Sequence, residues 1–208
     1  MDKIETKGVR YLGSKSKIVP LIVDVVENLG LQDKSVIDVF TGTTRVAQAF
    51  KSVGYEVTTS DLAWASEAYS NAFICNDGNV KHMQKYIDEL NAVIPKTGWL
   101  TKNYCDGSAT KRDGSTIAIQ VWKQKNGKKA DAVRDHIETM DLKGWEKMYL
   151  IASLIFALDK VDNTVGLQQA YLKGWKSNRV DKDLTLQLLP SFNGRVGKHI
   201  TGDALKIK

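Results

Sequence analysis

The run DVFTGTTRVAQAF, residues 38–50, constrains this chain more than any other stretch. An apolar lead-in, SVI at 35–37, precedes it, so the whole reads as a buried parallel strand over 35–40, a tight turn and a helix. The helix is predicted over 43–53, stopped by Gly54, and YEVTT at 55–59 forms a second strand with Asp61 directly after it. Upstream, Ile18, Leu21, Ile22, Val25, Val26 and Leu29 recur at helical spacing within 14–29, and Gly30 ends that pattern. Helix, strand, helix, strand within the first 60 residues predicts an α/β sheet with right-handed crossovers.

The middle of the chain changes character. Residues 63–72 and 80–94 read as helical, 95–129 is polar and rich in Gly and Lys, and 130–140 and 145–161 read as helical again. The longest apolar run, MYLIASLIFAL at 148–158, falls short of the roughly 20 residues that span a bilayer and reads as a buried helix. LTLQL at 184–188 reads as a strand, and 197–200 leads back towards the sheet. The expected organisation is an α/β unit made of 1–62 and 184–208, carrying a mostly helical insertion over 63–183.

A sharp turn between strand and helix aims backbone N–H groups and the positive helix end at one spot beyond the strand. Gly42 supplies the bare backbone such a turn needs, while Thr44 stands where a dinucleotide fingerprint would carry its next glycine. Asp38 ends the first strand, where a carboxylate can take a ligand's amino group. Asp61 ends the second, where an acid can accept both hydroxyls of a ribose. Two acids at consecutive strand ends around a glycine turn favour a ribose-bearing ligand over simple helix capping. Ahead of them, GSK at 13–15 opens a helix, with Tyr11 placed to lay a ring on a base and Lys15 to face a carboxylate or phosphate.

Cys75 and Cys105 show neither a CxxC nor a nearby His pair, and His82, His136 and His199 share no metal-like spacing. Neither a disulfide framework nor a metal centre is expected. The polar N-terminus, MDKIETKGVR, has no apolar core of a signal peptide, so a soluble cytoplasmic protein is expected. Trp64, Trp99 and Trp145 are expected to pack.

In their order, these segments resemble the Dam-like class of N6-adenine-specific DNA methyltransferases of restriction–modification type. Tyr11-Leu12-Gly13-Ser14-Lys15 matches the family's aromatic-x-Gly-Gly-Lys element, and Asp38-Val39-Phe40-Thr41-Gly42-Thr43-Thr44 matches its D-x-F-x-G-x-G turn. Asp61 matches the acid after the next strand, and Asp203 in ITGDALKI the acid after a further one. DNTVGLQQAYLKGWK at 162–176 is a looser match. The resemblance implies a Rossmann-like S-adenosylmethionine-dependent methyltransferase sheet with a helical target-recognition insertion. It also implies S-adenosyl-L-methionine as methyl donor, double-stranded DNA as partner, a monomer, and association with a cognate restriction endonuclease. By it, Tyr11, Gly13 and Lys15 line the cofactor pocket, Asp38, Phe40 and Gly42 surround the methionine end, Asp61 holds the ribose and Asp203 approaches the adenine amino group.

Charge fits such a partner, with a net +6 and pI near 9.1. Lys102, Lys111, Arg112, Lys123, Lys125, Lys128, Lys129 and Arg134, with Tyr104 and Trp122 interleaved, form one candidate DNA surface, and Lys173, Lys176 and Arg179, beside Tyr171 and Trp175, a second. Each cluster also reads as an ordinary solvated loop.

Two departures stand out. Thr44 in place of glycine is expected to narrow the approach to the cofactor. The family's Asp-Pro-Pro-Tyr catalytic loop has no counterpart, since the three prolines, Pro20, Pro95 and Pro190, are all isolated. By the resemblance that loop follows one strand after Asp203, so it is expected beyond Lys208, and no catalytic residue is assigned within 1–208. The chain is therefore expected to be a segment without that loop and inactive by itself. A non-catalytic DNA- or cofactor-binding remnant stays open as an alternative. A nicotinamide-dependent oxidoreductase is less favoured, because Gly42 lacks the rest of the dinucleotide fingerprint.

Overall fold

The computed structural model describes residues 4–11, 13–110, 114–166, 172–176 and 178–207. A 3-10 turn at Lys15–Lys17 leads into α1 (Val19–Glu27), whose Pro20 sits in the first turn, where a missing N–H costs nothing. Then follow β1 (Ser35–Asp38), α2 (Arg45–Ser52), β2 (Glu56–Asp61) and α3 (Trp64–Phe73). The middle holds α4 (Gln84–Ala92), α5 (Trp99–Tyr104), a hairpin of β3 (Gly107–Thr110) and β4 (Thr116–Ile119), α6 (Gln124–Thr139) and α7 (Gly144–Lys160). The chain returns with β5 (Lys198–Thr201).

Three strands form one parallel sheet in the order β1-β2-β5, with Asp38 opposite Thr59 and Asp61 opposite Thr201. Central β2 buries Val57, Thr59 and Ser60 completely, whereas the edge strands β1 and β5 are largely exposed. That burial follows from position, because only β2 has a strand on both sides.

The apolar run at 148–158 lies within α7 and packs on α3. Phe156 meets Tyr69 and Phe73 edge-on at 5.9 and 5.8 Å, and Phe73 meets Phe192 at 5.7 Å. The sheet helices and the middle helices thus share one continuous core. No helix among the described residues is long and apolar enough to cross a membrane.

The structure differs from the sequence reading at several elements. The first strand, expected to be buried, is a largely exposed edge, and the polar stretch 95–129, to which the sequence assigned no element, contains α5, the β3–β4 hairpin and the start of α6. Residues 184–188 do not form a strand. Leu184 and Leu186 are buried with Thr185 exposed between them, as in a strand, but the alternation breaks before buried Leu189. Their backbone groups, however, meet helix side chains. Leu184 N–H donates to Asn126 Oδ1 at 2.9 Å, Leu186 N–H to Asn91 Oδ1 at 2.8 Å and Leu189 N–H to the Tyr149 hydroxyl at 2.8 Å. An extended segment with its polar groups satisfied this way needs no neighbouring strand.

Candidate cofactor and nucleic-acid sites

Because β1, β2 and β5 are parallel, the residues that follow them gather at one edge of the sheet, where α/β folds bind ligands. Asp61 organises that edge. Its Oδ2 accepts from Gly42 N–H at 2.9 Å, its Oδ1 from Ala63 N–H at 3.0 Å, and its carbonyl from Gly202 N–H at 3.0 Å. The acid therefore caps the approach to α3 and also ties the β1 turn to the end of β2. Each carboxylate oxygen, with two lone pairs, keeps one direction for a ligand.

Gly42 has φ +51°, a conformation that favours glycine, and no atom lies within 4 Å of where a Cβ would stand. Thr44 takes up the left-handed conformation a second glycine would have adopted, with φ +61°. Its side chain is completely buried, and its Oγ1 accepts from Gln48 Nε2 at 2.9 Å. The Thr44 side chain thus points into the protein rather than into solvent.

Burial raises the Asp38 carboxyl above the ordinary range, and the charge of Asp61 adds to this; Thr41, Lys15 and the Phe40 N–H act the other way. Lys15, from the 3-10 turn before α1, is thus within electrostatic reach of Asp38. Phe40 is 72% exposed beside them. Tyr11 is partly exposed and near Arg45, Gly13 is open with φ +87°, and Leu12 lies outside the described residues. Asp203 follows β5, and its Oδ1 accepts from Leu205 N–H at 3.0 Å. Lys208 lies outside the described residues.

Several residues that hold this edge together carry no sequence motif. Arg45 donates to the carbonyls of Thr6 and Gly8 at 2.9 Å each, and Gln48 exchanges two hydrogen bonds with the Lys7 backbone. Arg10 donates to Asp162 Oδ1 at 2.7 Å and to the Asp159 carbonyl at 2.7 Å. The N-terminal segment is thereby strapped across α2 and α7, with Tyr11 near Arg45 and Lys15 near Asp38. Long-range polar contacts of this kind leave no periodic trace in a sequence.

The candidate DNA residues divide. Lys111, Arg112 and Tyr171 lie outside the described residues. Trp122 does not face solvent; it is 4% exposed, and its indole N–H donates to the Leu158 carbonyl at 3.0 Å. Lys129 spends its ammonium on the carbonyls of Asn91 and Val93 at the end of α4, at 2.6 and 2.8 Å. Arg179 binds the fully buried Asp162 and the Thr164 carbonyl. All three are bonded inside the protein, and Lys129 and Arg179 stay partly exposed. Lys173 is exposed, Lys128 is half-buried, and Lys123 places its ammonium 4.0 Å from the ring centre of Trp175. Trp64 and Trp99, expected to pack, are exposed, whereas Trp145 packs edge-on against His82 and Tyr149. Among the described residues no group of three His, Cys, Asp or Glu side chains could hold a metal ion.

Residues 11–203 match the family described as D12 class N6 adenine-specific DNA methyltransferase. The chain belongs to this family. The match covers both the sheet edge and the helical middle, and it sets aside the nicotinamide-dependent oxidoreductase. Type II methyltransferase M.NlaIII of Neisseria lactamica is 30% identical over 186 residues, covering 86% of this chain and 53% of that protein. Modification methylase LlaI of Lactococcus lactis subsp. lactis is 30% identical over 184 residues, 84% of this chain and 29% of that protein. Modification methylase StsI of Streptococcus sanguinis is 30% identical over 212 residues, 94% of this chain and 31% of that protein. The chain thus spans about half the length, or less, of these relatives. No solved structure matches it significantly.

Proposed function

We propose that this D12-family chain serves site-specific DNA adenine-N6 methylation in a restriction–modification setting, with S-adenosyl-L-methionine as donor and double-stranded DNA as substrate. In this reading the three parallel strands belong to a Rossmann-like methyltransferase sheet, residues 1–62 and 184–208 hold the cofactor, and 63–183 face DNA. The observation that carries the reading is the convergence of Asp38, the Gly42 turn and Asp61 on one sheet edge, with open space at Gly42.

These residues fit the cofactor. Asp38 accepts from the ammonium of its methionine end, Asp61 uses its remaining lone pairs for the ribose hydroxyls, and the exposed ring of Phe40 covers apolar surface between them. Tyr11, Gly13 and Lys15 close the pocket from the N-terminal side, and Asp203 from the side of β5. When bound, the cofactor supplies an activated methyl group. Excluding water and fixing orientation are what the chain's own residues contribute.

Calorimetry with S-adenosylhomocysteine tests this. The chain should bind it, and Asp61→Ala should weaken binding by about 2–3 kcal/mol, the value of a lost charge-assisted pair. Unchanged affinity would remove Asp61 from the pocket, and no binding by the unaltered chain would sink the reading. Because Asp38 must be ionised to hold an ammonium, affinity should also fall on acidification sooner than an ordinary aspartate would titrate.

A further inference from the structure

Away from the sheet edge, two aromatic rings stand in solvent on a rigid support. Trp99 is 67% exposed and Tyr104 38%, at the two ends of α5, with ring centres 5.3 Å apart. Packing does not account for them, since an indole left this open forgoes most of its burial energy. Their support is firmly tied. The buried carboxylate of Asp131 accepts from the N–H groups of Gly98, Leu100 and Thr101, at 2.9, 2.8 and 2.9 Å, and from the Thr101 hydroxyl at 2.5 Å. At the other end, the Tyr104 carbonyl accepts from Trp122 N–H at 3.3 Å, and the buried Trp122 ring stands edge-on behind Tyr104 at 6.4 Å.

Two lysines lie beside the pair. Lys102 is exposed on α5 itself, and Lys123 follows Trp122, with its ammonium against Trp175. The nearby acids are occupied. Asp106 accepts from the Gln124 N–H, and Asp131 faces inward, taking three donors on Oδ2 and one on Oδ1. A rigid aromatic pair flanked by lysines matches a nucleobase and its phosphates. The rings offer a flat face that any base can stack on, and the ammonium groups meet the backbone.

We propose that Trp99 and Tyr104 form a stacking platform for an unpaired nucleobase of bound DNA, with Lys102 and Lys123 on the flanking phosphates. The proposal rests on the DNA-binding reading above and adds a specific subsite to it. A base lifted out of a duplex loses its stacking partners, and an exposed indole restores one.

Fluorescence anisotropy with two labelled duplexes, one fully paired and one carrying a single unpaired base, tests this on the chain as it stands. The unaltered chain should prefer the duplex with the unpaired base. Trp99→Ala should lower affinity for that duplex roughly ten-fold and for the paired duplex little, and Trp99→Phe should keep most of the preference. Trp99 is exposed, so thermal melting should show the variant fold intact. Equal loss on both duplexes, or no loss on either, overturns the platform while leaving DNA binding standing. Absence of binding to either duplex overturns the platform together with the DNA-binding reading, and S-adenosylhomocysteine binding then reports separately on the cofactor site.

Discussion

Lys51 shows how completely the fold can bury a charged residue. It lies in α2 as an unremarked lysine, yet it is completely buried, and its ammonium donates to the carbonyls of Ile74 and Asn76 at 2.9 and 2.6 Å. Burial lowers its pKa to about 8. The unfolded chain therefore binds the proton more tightly than the fold does, and stability rises with pH above about 8. Burial lifts the thiols of Cys75 and Cys105 to about 11 and about 12. The unfolded chain thus ionises at these thiols first, which lowers stability above their ordinary pKa. Between pH 8 and 9, where the two thiols already oppose it, urea denaturation should show the unaltered chain gaining about 1 kcal/mol relative to Lys51→Met, which keeps the thiols. Parallel profiles of the two proteins would show that Lys51 stays ordinary. Thr44 is a different case. A β-branched residue held left-handed costs about 1–2 kcal/mol, and its bond from Gln48 offsets part of this.

At the scale of elements, α5 and α6 are matched to each other through Gly127. The position is helical, so its glycine is not needed for conformation and lowers helix stability by about 1 kcal/mol relative to Ala. It is needed for space, because an added Cβ would run into the sulfur of Cys105. Gly127→Ala should therefore cost about 1–3 kcal/mol from overpacking, and combining it with Cys105→Ala should recover most of that loss. Thermal melting of the two single variants and the pair measures the coupling, and simple additivity would show that the two sites do not share this space. The same locality explains why 95–129 was hard to read. Its elements are short, polar and held by distant side chains, Asp131 above all, rather than by their own periodicity.

For the whole molecule, Asp162 is the joint. Its carboxylate is fully buried and takes Arg10 from the N-terminus, Arg179 from the late loop and the Thr164 hydroxyl, while neighbouring Asn163 binds the carbonyls of Gln120, Leu172 and Gly174. Arg10 and Arg179 stay partly exposed and Arg10 keeps Asp159, so Asp162→Ala should cost about 1.5–3 kcal/mol in urea denaturation, the value of lost hydrogen bonds to charged groups. Arg10 adjoins Tyr11, so the same variant should also weaken S-adenosylhomocysteine binding. A loss below 1 kcal/mol would mean that the network is no joint.

The sequence by itself determined the α/β beginning, the glycine turn and the acids at the strand ends. Each of these rests on a short pattern of periodicity, breaker residues and spacing, which acts within a few residues. The helix of α1 was legible for the same reason, but its buried face was not. Val19 and Val23 are buried while Leu21, Val25 and Leu29 stay exposed, because the segment is apolar nearly all round and only its neighbours choose a side. The tertiary structure alone decided which charges remain available. Lys129, Arg179 and Trp122 look like surface contacts in the chain, yet each finds an internal partner 17 to 38 residues away. Partners that distant are brought together by the packing of whole helices, and no local pattern records whether a side chain will be satisfied inside the protein or left facing solvent.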